Sequence, residues 1–167
     1  MKENILIDFR EPREEDRWEI VLDGVMGGLS QGRMELTGGA GVFAGVLSLD
    51  NDGGFVSVRS APRDFRLTGY EGLVLRVRGD GKRYRLRLRT EDDYDGIAYQ
   101  AVFLTKPDEW FETPVGFDEF VPVFRGRIVA GAPVLEPGRI RRIGVMIADG
   151  QQGPFRLEIA WITAYAG

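Results

Sequence analysis

The stretch Leu73–Arg89, LVLRVRGDGKRYRLRLR, carries the clearest structural signal in the chain. On both sides of a central Gly79–Lys82 segment, apolar residues alternate strictly with arginines. Because successive side chains of a β-strand point to opposite faces, this alternation separates the six arginines from the apolar residues. Asp80-Gly81 is a dipeptide typical of tight hairpin turns. The stretch therefore predicts a β-hairpin with one buried face and one arginine-covered face.

Short β-like runs of this kind continue along the whole chain, with Gly, Pro and Asp between them. The runs are Ile5–Phe9, Trp18–Leu22, Arg33–Thr37, Val42–Leu49, Phe55–Arg59, Leu73–Arg78, Arg83–Arg89, Ile97–Leu104, Trp110–Val115, Ile140–Ala148 and Phe155–Tyr165. Many short strands separated by turns are typical of a sandwich or barrel. No window has the apolar period of an ordinary helix, and only one helical turn is expected, near Phe117–Phe120. The predicted fold is an all-β, jelly-roll β-sandwich.

The length and composition limit the classes of protein to which the chain can belong. The length of 167 residues predicts a single domain over 1–167, and the net charge of −4 gives no general case for nucleic acid. The chain has no cysteine and no histidine, which removes thiolate nucleophiles, zinc–thiolate sites and the commonest general base. The N-terminal apolar run is too short for a signal peptide. We expect a cytoplasmic protein with no cofactor, no bound metal and no membrane insertion.

Two glycine motifs resemble catalytic or cofactor fingerprints but lack their context. Gly28–Gly32 matches the G-x-S-x-G nucleophile elbow, which needs a following helix and a histidine base. Gly39, Gly41 and Gly45 approach a dinucleotide fingerprint, but the spacing is one residue too long and the next segment predicts a strand. We expect neither a serine hydrolase nor a Rossmann site.

Two acidic, glycine-terminated stretches could hold calcium. Asp50–Gly54 and Glu91–Gly96 place oxygens at alternate positions, but an EF-hand would need a glutamate where Val102 stands. The favoured interpretation is an Asp- and Gly-rich turn in each case. Structural calcium remains the lesser alternative.

The arginine-covered face also has two interpretations. The arginines could bind phosphate or an acidic partner, or they could pair with acids on adjacent strands or in Glu91–Asp95. No aromatic residue interleaves them, as a nucleic-acid surface would prefer. The structural interpretation is favoured.

Two glycine-rich stretches, Asp23–Gly28 and Asn51–Phe55, are candidates for a concave binding site. Glycines let two backbones approach closely, so we expect the two stretches to pack against each other. A ligand would then lie beside this junction and contact polar side chains from neighbouring strands. The candidate ligand- or partner-binding residues are Asp23, Met26, Asn51, Tyr99, Gln100, Trp110, Arg125 and Asp149. No catalytic residue is assigned.

Several motifs in a fixed order carry a family resemblance. They are Trp18, Asp23–Ser30, Phe43–Gly45, Asn51–Arg59, Gly79–Tyr84, Tyr99-Gln100, Trp110, Phe120, Arg125-Gly126, Ile143-Gly144, Asp149 and Gly153–Leu157. In this order they resemble the thirty-kilodalton complex I intermediate-associated protein family over nearly the whole chain. The resemblance implies a galactose-binding-domain-like jelly roll. It also implies a chaperone-like role in assembling respiratory complex I, with respiratory subunits as partners. The bare domain, without an organelle presequence, looks like a bacterial member.

Three functions compete at this point. The first is a non-catalytic, protein-binding assembly factor, supported by the resemblance and by the missing catalytic residue types. The second is a module that binds carbohydrate or another small molecule, supported by the expected fold and by the candidate residues. The third, an enzyme with paired carboxylates, has no acid pair singled out by spacing. Independently, seven aromatic residues are predicted to be mostly buried: Trp18, Phe43, Phe55, Tyr84, Phe103, Phe155 and Trp161.

Overall fold

Two antiparallel sheets face each other in the computed structural model, which describes residues 4–22, 30–50, 54–90, 96–124 and 127–166. Thirteen strands lie in these ranges: β1 Asn4–Asp8, β2 Trp18–Leu22, β3 Gln31–Thr37, β4 Ala40–Leu47, β5 Val56–Ser60, β6 Gly72–Arg78, β7 Arg83–Arg89, β8 Ala98–Leu104, β9 Trp110–Gly116, β10 Val121–Phe124, β11 Arg127–Ile128, β12 Arg142–Ile147 and β13 Gly153–Tyr165. Three short 3₁₀ helices accompany them, at Pro12–Arg17, Phe117–Glu119 and Pro137–Arg139. Within the described ranges, no helix has the length and apolar character needed to cross a bilayer.

The first sheet has six strands and the second has seven. In the first sheet the order is β3-β4-β13-β6-β9, and the 13-residue β13 pairs with β4 along its first half and with β1 along its second. In the second sheet the order is β11-β10-β8-β7-β12-β5-β2. Both sheets turn alternate apolar side chains toward each other, as a sandwich requires. The predicted all-β sandwich is confirmed.

An aromatic cluster lies at the centre of the core between the sheets. The Phe43 ring contacts the Phe155 ring at a centroid distance of 5.0 Å and the Tyr84 ring at 6.4 Å. Tyr84 also stacks on Phe103, and its hydroxyl donates to the Asp80 carboxylate at 3.0 Å. Burial and the neighbouring Asp80 charge both raise the pKa of Tyr84, so it serves as a neutral, hydrogen-bonded core residue.

The seven aromatic predictions divide into two groups. Phe43, Tyr84, Phe103 and Phe155 are buried, as predicted. The remaining three, Trp18, Phe55 and Trp161, are less completely covered but still mostly buried, which agrees with the prediction. Trp18 packs against the edge of the core, 5.3 Å from the Phe9 ring. The alternating pattern therefore locates the centre of the core better than its margins.

The predicted strands all overlap observed ones, and the predicted helical turn is the 3₁₀ helix Phe117–Glu119. Strands β10 and β11 were not expected, because they are only four and two residues long. Proline inside β10 further weakens its strand signal. The 3₁₀ helices Pro12–Arg17 and Pro137–Arg139 were not expected either, since such short helices carry no periodic signal.

The predicted hairpin over Leu73–Arg89 is wrong. Strand β6 pairs with β9 and β13 in the first sheet, whereas β7 pairs with β8 and β12 in the second. The intervening Gly79–Lys82 segment therefore carries the chain from one sheet to the other, and Gly79 forms a bridge with Pro107. Both strands still bury their apolar side chains in the same core. Their arginines consequently lie on opposite outer surfaces of the sandwich.

Candidate functional site

Five arginines converge on the outer surface of the second sheet. They are Arg59 on β5, Arg85, Arg87 and Arg89 on β7, and Arg142 on β12. These five arginines, with Glu19 on β2, Gly144 on β12, Gln100 on β8 and Asp149 after β12, form what we call the arginine face. Its central row runs across the strands in register: Glu19, Arg59, Gly144, Arg87, Gln100 and Val121. Sheet pairing thus assembles charges that are far apart in the sequence.

Acidic residues and a backbone carbonyl hold four of these arginines in place. Glu19 accepts hydrogen bonds from Arg59 at 2.8 Å and from Arg142 at 3.1 Å. Burial opposes ionisation of Glu19, but these two guanidinium groups outweigh it and lower the pKa of the carboxyl. Arg85 donates to both carboxylate oxygens of Asp149.

Asp149 sits in the left-handed backbone region, with a φ of 63°, at the turn after β12. Aspartate tolerates this conformation better than most residues do. Arg89 is held by a different kind of acceptor, the Gly96 carbonyl at 2.7 Å. The surroundings of Arg87 are therefore fixed by local hydrogen bonds.

Arg87 itself has no such partner. It makes no ion pair within the described ranges, and its buried Nε atom has no hydrogen-bond acceptor. Burial, together with the charges of Arg89, Arg85 and Arg59, lowers the pKa of Arg87 to about 10. Burying part of a cation without a counter-charge is unfavourable in a folded protein. Among the described residues, the centre of the arginine face therefore carries an uncompensated charge.

An aliphatic edge adjoins the arginine face on β8, β10 and β11. Val102 and Leu104 of β8 are 52% and 64% exposed, and they lie in register with Arg85 and Arg83. Val121 on β10 and Ile128 on β11 extend the exposed apolar surface. We call these four residues the aliphatic edge. Beside it, a groove of about 320 Å³ runs between β8 and β9.

The outer surface of the first sheet is different, and we call it the paired face. Arg78 and Arg156 both donate to the Glu158 carboxylate, which is almost fully buried. The hydrogen bond from Arg78 holds the pKa of Glu158 below its ordinary value, against the opposing effect of burial. The Arg78 guanidinium also lies 5.2 Å from the centre of the Trp110 ring.

Arg76 completes the paired face. It lies 5.6 Å from the Trp110 ring and 3.5 Å from a carboxylate oxygen of Glu112. Arg76, Arg78 and Arg156 therefore each have a local acidic partner. For this face the structural interpretation of the arginines is sufficient.

The structure brings together two of the sequence-predicted site residues. Gln100 is the cross-strand neighbour of Arg87, and Asp149 pairs with Arg85, so both lie on the arginine face. Tyr99 points the other way, into the core, and donates its hydroxyl to the Pro133 carbonyl at 2.7 Å. Trp110 lies on the paired face. These four residues therefore do not line one cavity.

The other four candidates, Asp23, Met26, Asn51 and Arg125, lie outside the described residues. The same holds for the proposed contact between Asp23–Gly28 and Asn51–Phe55, of which only Gly54 and Phe55 are described. Their roles stay predictions.

The acidic stretches Asp50–Gly54 and Glu91–Gly96 fall largely outside the described ranges as well. Among the residues that are described, no three acidic side chains are placed so that they could hold a metal ion.

Sequence reasoning did not identify Arg59 and Arg142 as members of the site. Each is a single arginine in an otherwise ordinary strand, and only the pairing of β5 with β12 brings them together. Arg87 was recognised as one of an arginine series, but nothing in the series distinguishes it from Arg85 or Arg89. The distinguishing property is the missing partner, which depends on non-local structure.

Comparison with solved structures supports the fold. A family 11 carbohydrate-binding module from Clostridium thermocellum, in complex with a β-1,3-1,4-mixed-linked tetrasaccharide, superposes with a TM-score of 0.73. The match covers 99% of this chain and 96% of that one, at 15% sequence identity. At this identity the likeness shows a shared jelly-roll architecture and nothing about the ligand.

Comparison of sequences is more specific. The mitochondrial complex I intermediate-associated protein 30 of Drosophila melanogaster is 29% identical over 95% of this chain, and that of Mus musculus is 28% identical over 96%. The matches cover 62% and 56% of those proteins, so the chain spans less than two thirds of their length. The sequence model of the family matches residues 7–159. The chain therefore belongs to the complex I intermediate-associated protein 30 family.

Proposed function

We propose that the chain is a non-catalytic interaction module that binds a protein partner through the arginine face and the aliphatic edge. The partner is a subunit of a respiratory complex that is still being assembled. Family membership supports this role, since the relatives are named for their association with complex I intermediates. The role of those longer proteins is carried to this chain as part of the proposal.

The observation that carries the proposal is the exposed aliphatic edge beside the arginines. Val102, Leu104 and Ile128 are each more than half exposed, although burial of such side chains is favourable. Arginine is enriched at protein interfaces, and contiguous exposed apolar surface marks many interaction sites. A partner that covers this edge would remove the apolar area from water and bring its acidic groups to the arginines.

The backbone of β8 offers a further attachment point. The Thr105 N–H donates to the Lys82 carbonyl across the β7–β8 pair, so the alternate residues Val102 and Leu104 direct their backbone groups to the opposite side. On that side β10 pairs with β8 only as far as Gln100. This short free edge could accept an extended segment of a partner by main-chain hydrogen bonding.

The neighbouring edge strand β9 is protected against such pairing. Pro114 has no N–H to donate, and the Gly116 N–H is already bonded to Glu119 at 2.7 Å. The difference between the two edges supports β8 as the one that pairs with a partner.

The test is a capture experiment with matched variants. Wild type, Val102→Asp and Val46→Asp are immobilised, and respiratory-complex subunits recovered from membranes of the source organism are identified by mass spectrometry. Val46 is 45% exposed on the first sheet, so it controls for placing a charge on an exposed strand. We expect recovery with wild type and Val46→Asp, and loss with Val102→Asp. Recovery of no respiratory subunit by wild type, or undiminished recovery by Val102→Asp, would overturn the proposal.

Carbohydrate binding is the second candidate, favoured by the architecture shared with a module solved with a tetrasaccharide. Gln100, Arg87 and Asp149 supply planar polar groups of the kind that sugar sites use. The two aromatic residues among the candidate binding residues lie elsewhere, however: Trp110 on the paired face and Tyr99 in the core. Titration calorimetry with a mixed-linked β-1,3-1,4-tetrasaccharide separates the candidates. Saturable binding that Gln100→Ala abolishes would favour the sugar.

A further inference from the structure

The charge of Arg87 has no acidic partner in the part of the chain that the structure describes. Each of the other four arginines on the arginine face has an acceptor: Glu19 for Arg59 and Arg142, Asp149 for Arg85, and the Gly96 carbonyl for Arg89. Arg87 lies among them, partly buried, with a buried and unsatisfied Nε. A buried polar group is normally hydrogen-bonded, and a partly buried charge normally has a partner that compensates it. The missing partner is the observation to be explained.

The surroundings of Arg87 supply further donors for that partner. Its neighbour on β12 is Gly144, and the next residue in the row is Arg59 on β5. A Cβ at Gly144 would lie only 3.2 Å from the Cβ of Arg59, so the Arg59 side chain packs closely beside the glycine, and its charge acts on Arg87. On the other side of Arg87, the Gln100 side chain can donate a further hydrogen bond. The row therefore places two cations and an amide donor side by side.

The neighbouring ion pairs hold the arginine side chains around Arg87 in place before a ligand binds. Because Asp149 holds Arg85 and Glu19 holds Arg59, these side chains need little reordering when a ligand arrives. Guanidinium groups bind carboxylates and phosphates through paired, nearly parallel hydrogen bonds. A planar or tetrahedral oxyanion therefore suits this position better than a neutral ligand or a cation does.

We propose that Arg87, with Arg59 and Gln100 beside it, forms an oxyanion-binding site that takes a carboxylate or phosphate group. An acidic side chain of a protein partner and a free phosphate are the two possible sources of this chemistry. If the source is a partner, the site is where that partner's acid docks, and this part of the inference rests on the function proposed above. The existence of the site does not depend on the identity of the partner.

The experiment follows the Nε–Hε signals of the arginines by NMR during two titrations at constant ionic strength with chloride. One titrant is inorganic phosphate and the other is an acetylated tri-glutamate peptide. We expect saturable shifts of the Arg87 signal with at least one titrant and at least tenfold weaker binding in Arg87→Met. The control Arg83→Met removes an exposed arginine at the end of the same strand and should bind like wild type.

The two titrations identify the source of the oxyanion. Saturation by phosphate alone assigns a free phosphate, and saturation by the peptide assigns a carboxylate of a polypeptide. Arg87→Lys keeps the charge but not the forked donor, and it should bind with intermediate strength. The inference is overturned if neither titrant saturates the Arg87 signal, or if Arg87→Met binds as tightly as wild type. Either result would leave the Val102→Asp capture experiment unaffected, so the two proposals fail separately.

Discussion

The two outer faces of the sandwich receive their arginines from one continuous alternating stretch, yet they use them differently. On the paired face, Arg78 shares the buried Glu158 carboxylate with Arg156 and lies over the Trp110 ring. On the arginine face, Arg87 lies among like charges and has no acidic partner within the described residues. The first arrangement neutralises its cations locally, whereas the second leaves one cation without an acid beside it in the described part of the chain.

The comparison shows what a charged residue on a strand can and cannot reveal. An arginine that alternates with apolar residues is on an outer surface in both cases. Whether it is structural or available for binding depends on the strands that come to lie beside it. Strand β6 is flanked by β13 and β9, which supply Glu158 and Glu112. Strand β7 is flanked by β12 and β8, which place Gly144 and Gln100 beside Arg87.

The largest loss of stability should follow from a substitution in the core, which both faces share. Phe43→Ala removes a fully buried ring from contact with Phe155 and Tyr84, and we expect a loss of about 3–5 kcal/mol in the free energy of unfolding. Urea denaturation followed by tryptophan fluorescence measures this change. The control Ile128→Ala truncates an exposed side chain and should cost far less. Equal losses in the free energy of unfolding for the two substitutions would contradict the assignment of Phe43 to the core.

A smaller loss of stability is expected from a substitution on the paired face, and the size of this loss should depend on pH. Glu158→Gln removes the charge that holds Arg78 and Arg156, at a cost of about 1–2 kcal/mol near neutral pH. Because the folded-state pKa of Glu158 is lowered from 4.5, its stabilising contribution is present above that pH and is lost as the pH falls further. Urea denaturation at pH 7 and at pH 3 measures this change. The difference in the free energy of unfolding between wild type and Glu158→Gln should be smaller at pH 3.

The control for this prediction is Glu112→Gln. Glu112 pairs with Arg76 at an exposed position, where an ion pair contributes about 0.5 kcal/mol or less. A difference between wild type and Glu158→Gln that stayed constant down to pH 3 would show that the carboxylate charge does not stabilise the paired face.

Much of the fold could be predicted from local patterns. Alternation over Leu73–Arg89 and the glycines between runs identified the strands, because period and turn chemistry are local properties. The hairpin prediction failed because alternation states which side chains face inward but not which sheet a strand joins. Sheet membership is decided by pairing with β8, β9, β12 and β13, and those contacts are distant in sequence.

The candidate site could be predicted less well for the same reason. Gln100 and Asp149 were selected as polar residues within family motifs, and they do lie on the arginine face. Trp110 was also a candidate binding residue, but its position on β9 places it under Arg78 on the paired face. The property that singles out Arg87 is the absence of a partner, and a sequence cannot show this before its neighbours across the sheet are known.

The most direct test of the difference between the faces compares Arg87→Met with Arg78→Met. Their free energies of unfolding are measured by urea denaturation in a chloride buffer without phosphate or carboxylates. Arg87→Met should raise the free energy of unfolding by about 1 kcal/mol, because it removes a partly buried charge that has no acidic partner among the described residues. Arg78→Met should lower it, because Glu158 loses a hydrogen-bond donor. A similar loss of stability in both variants would mean that both arginines are structural, and it would contradict the assignment of the arginine face as the binding face.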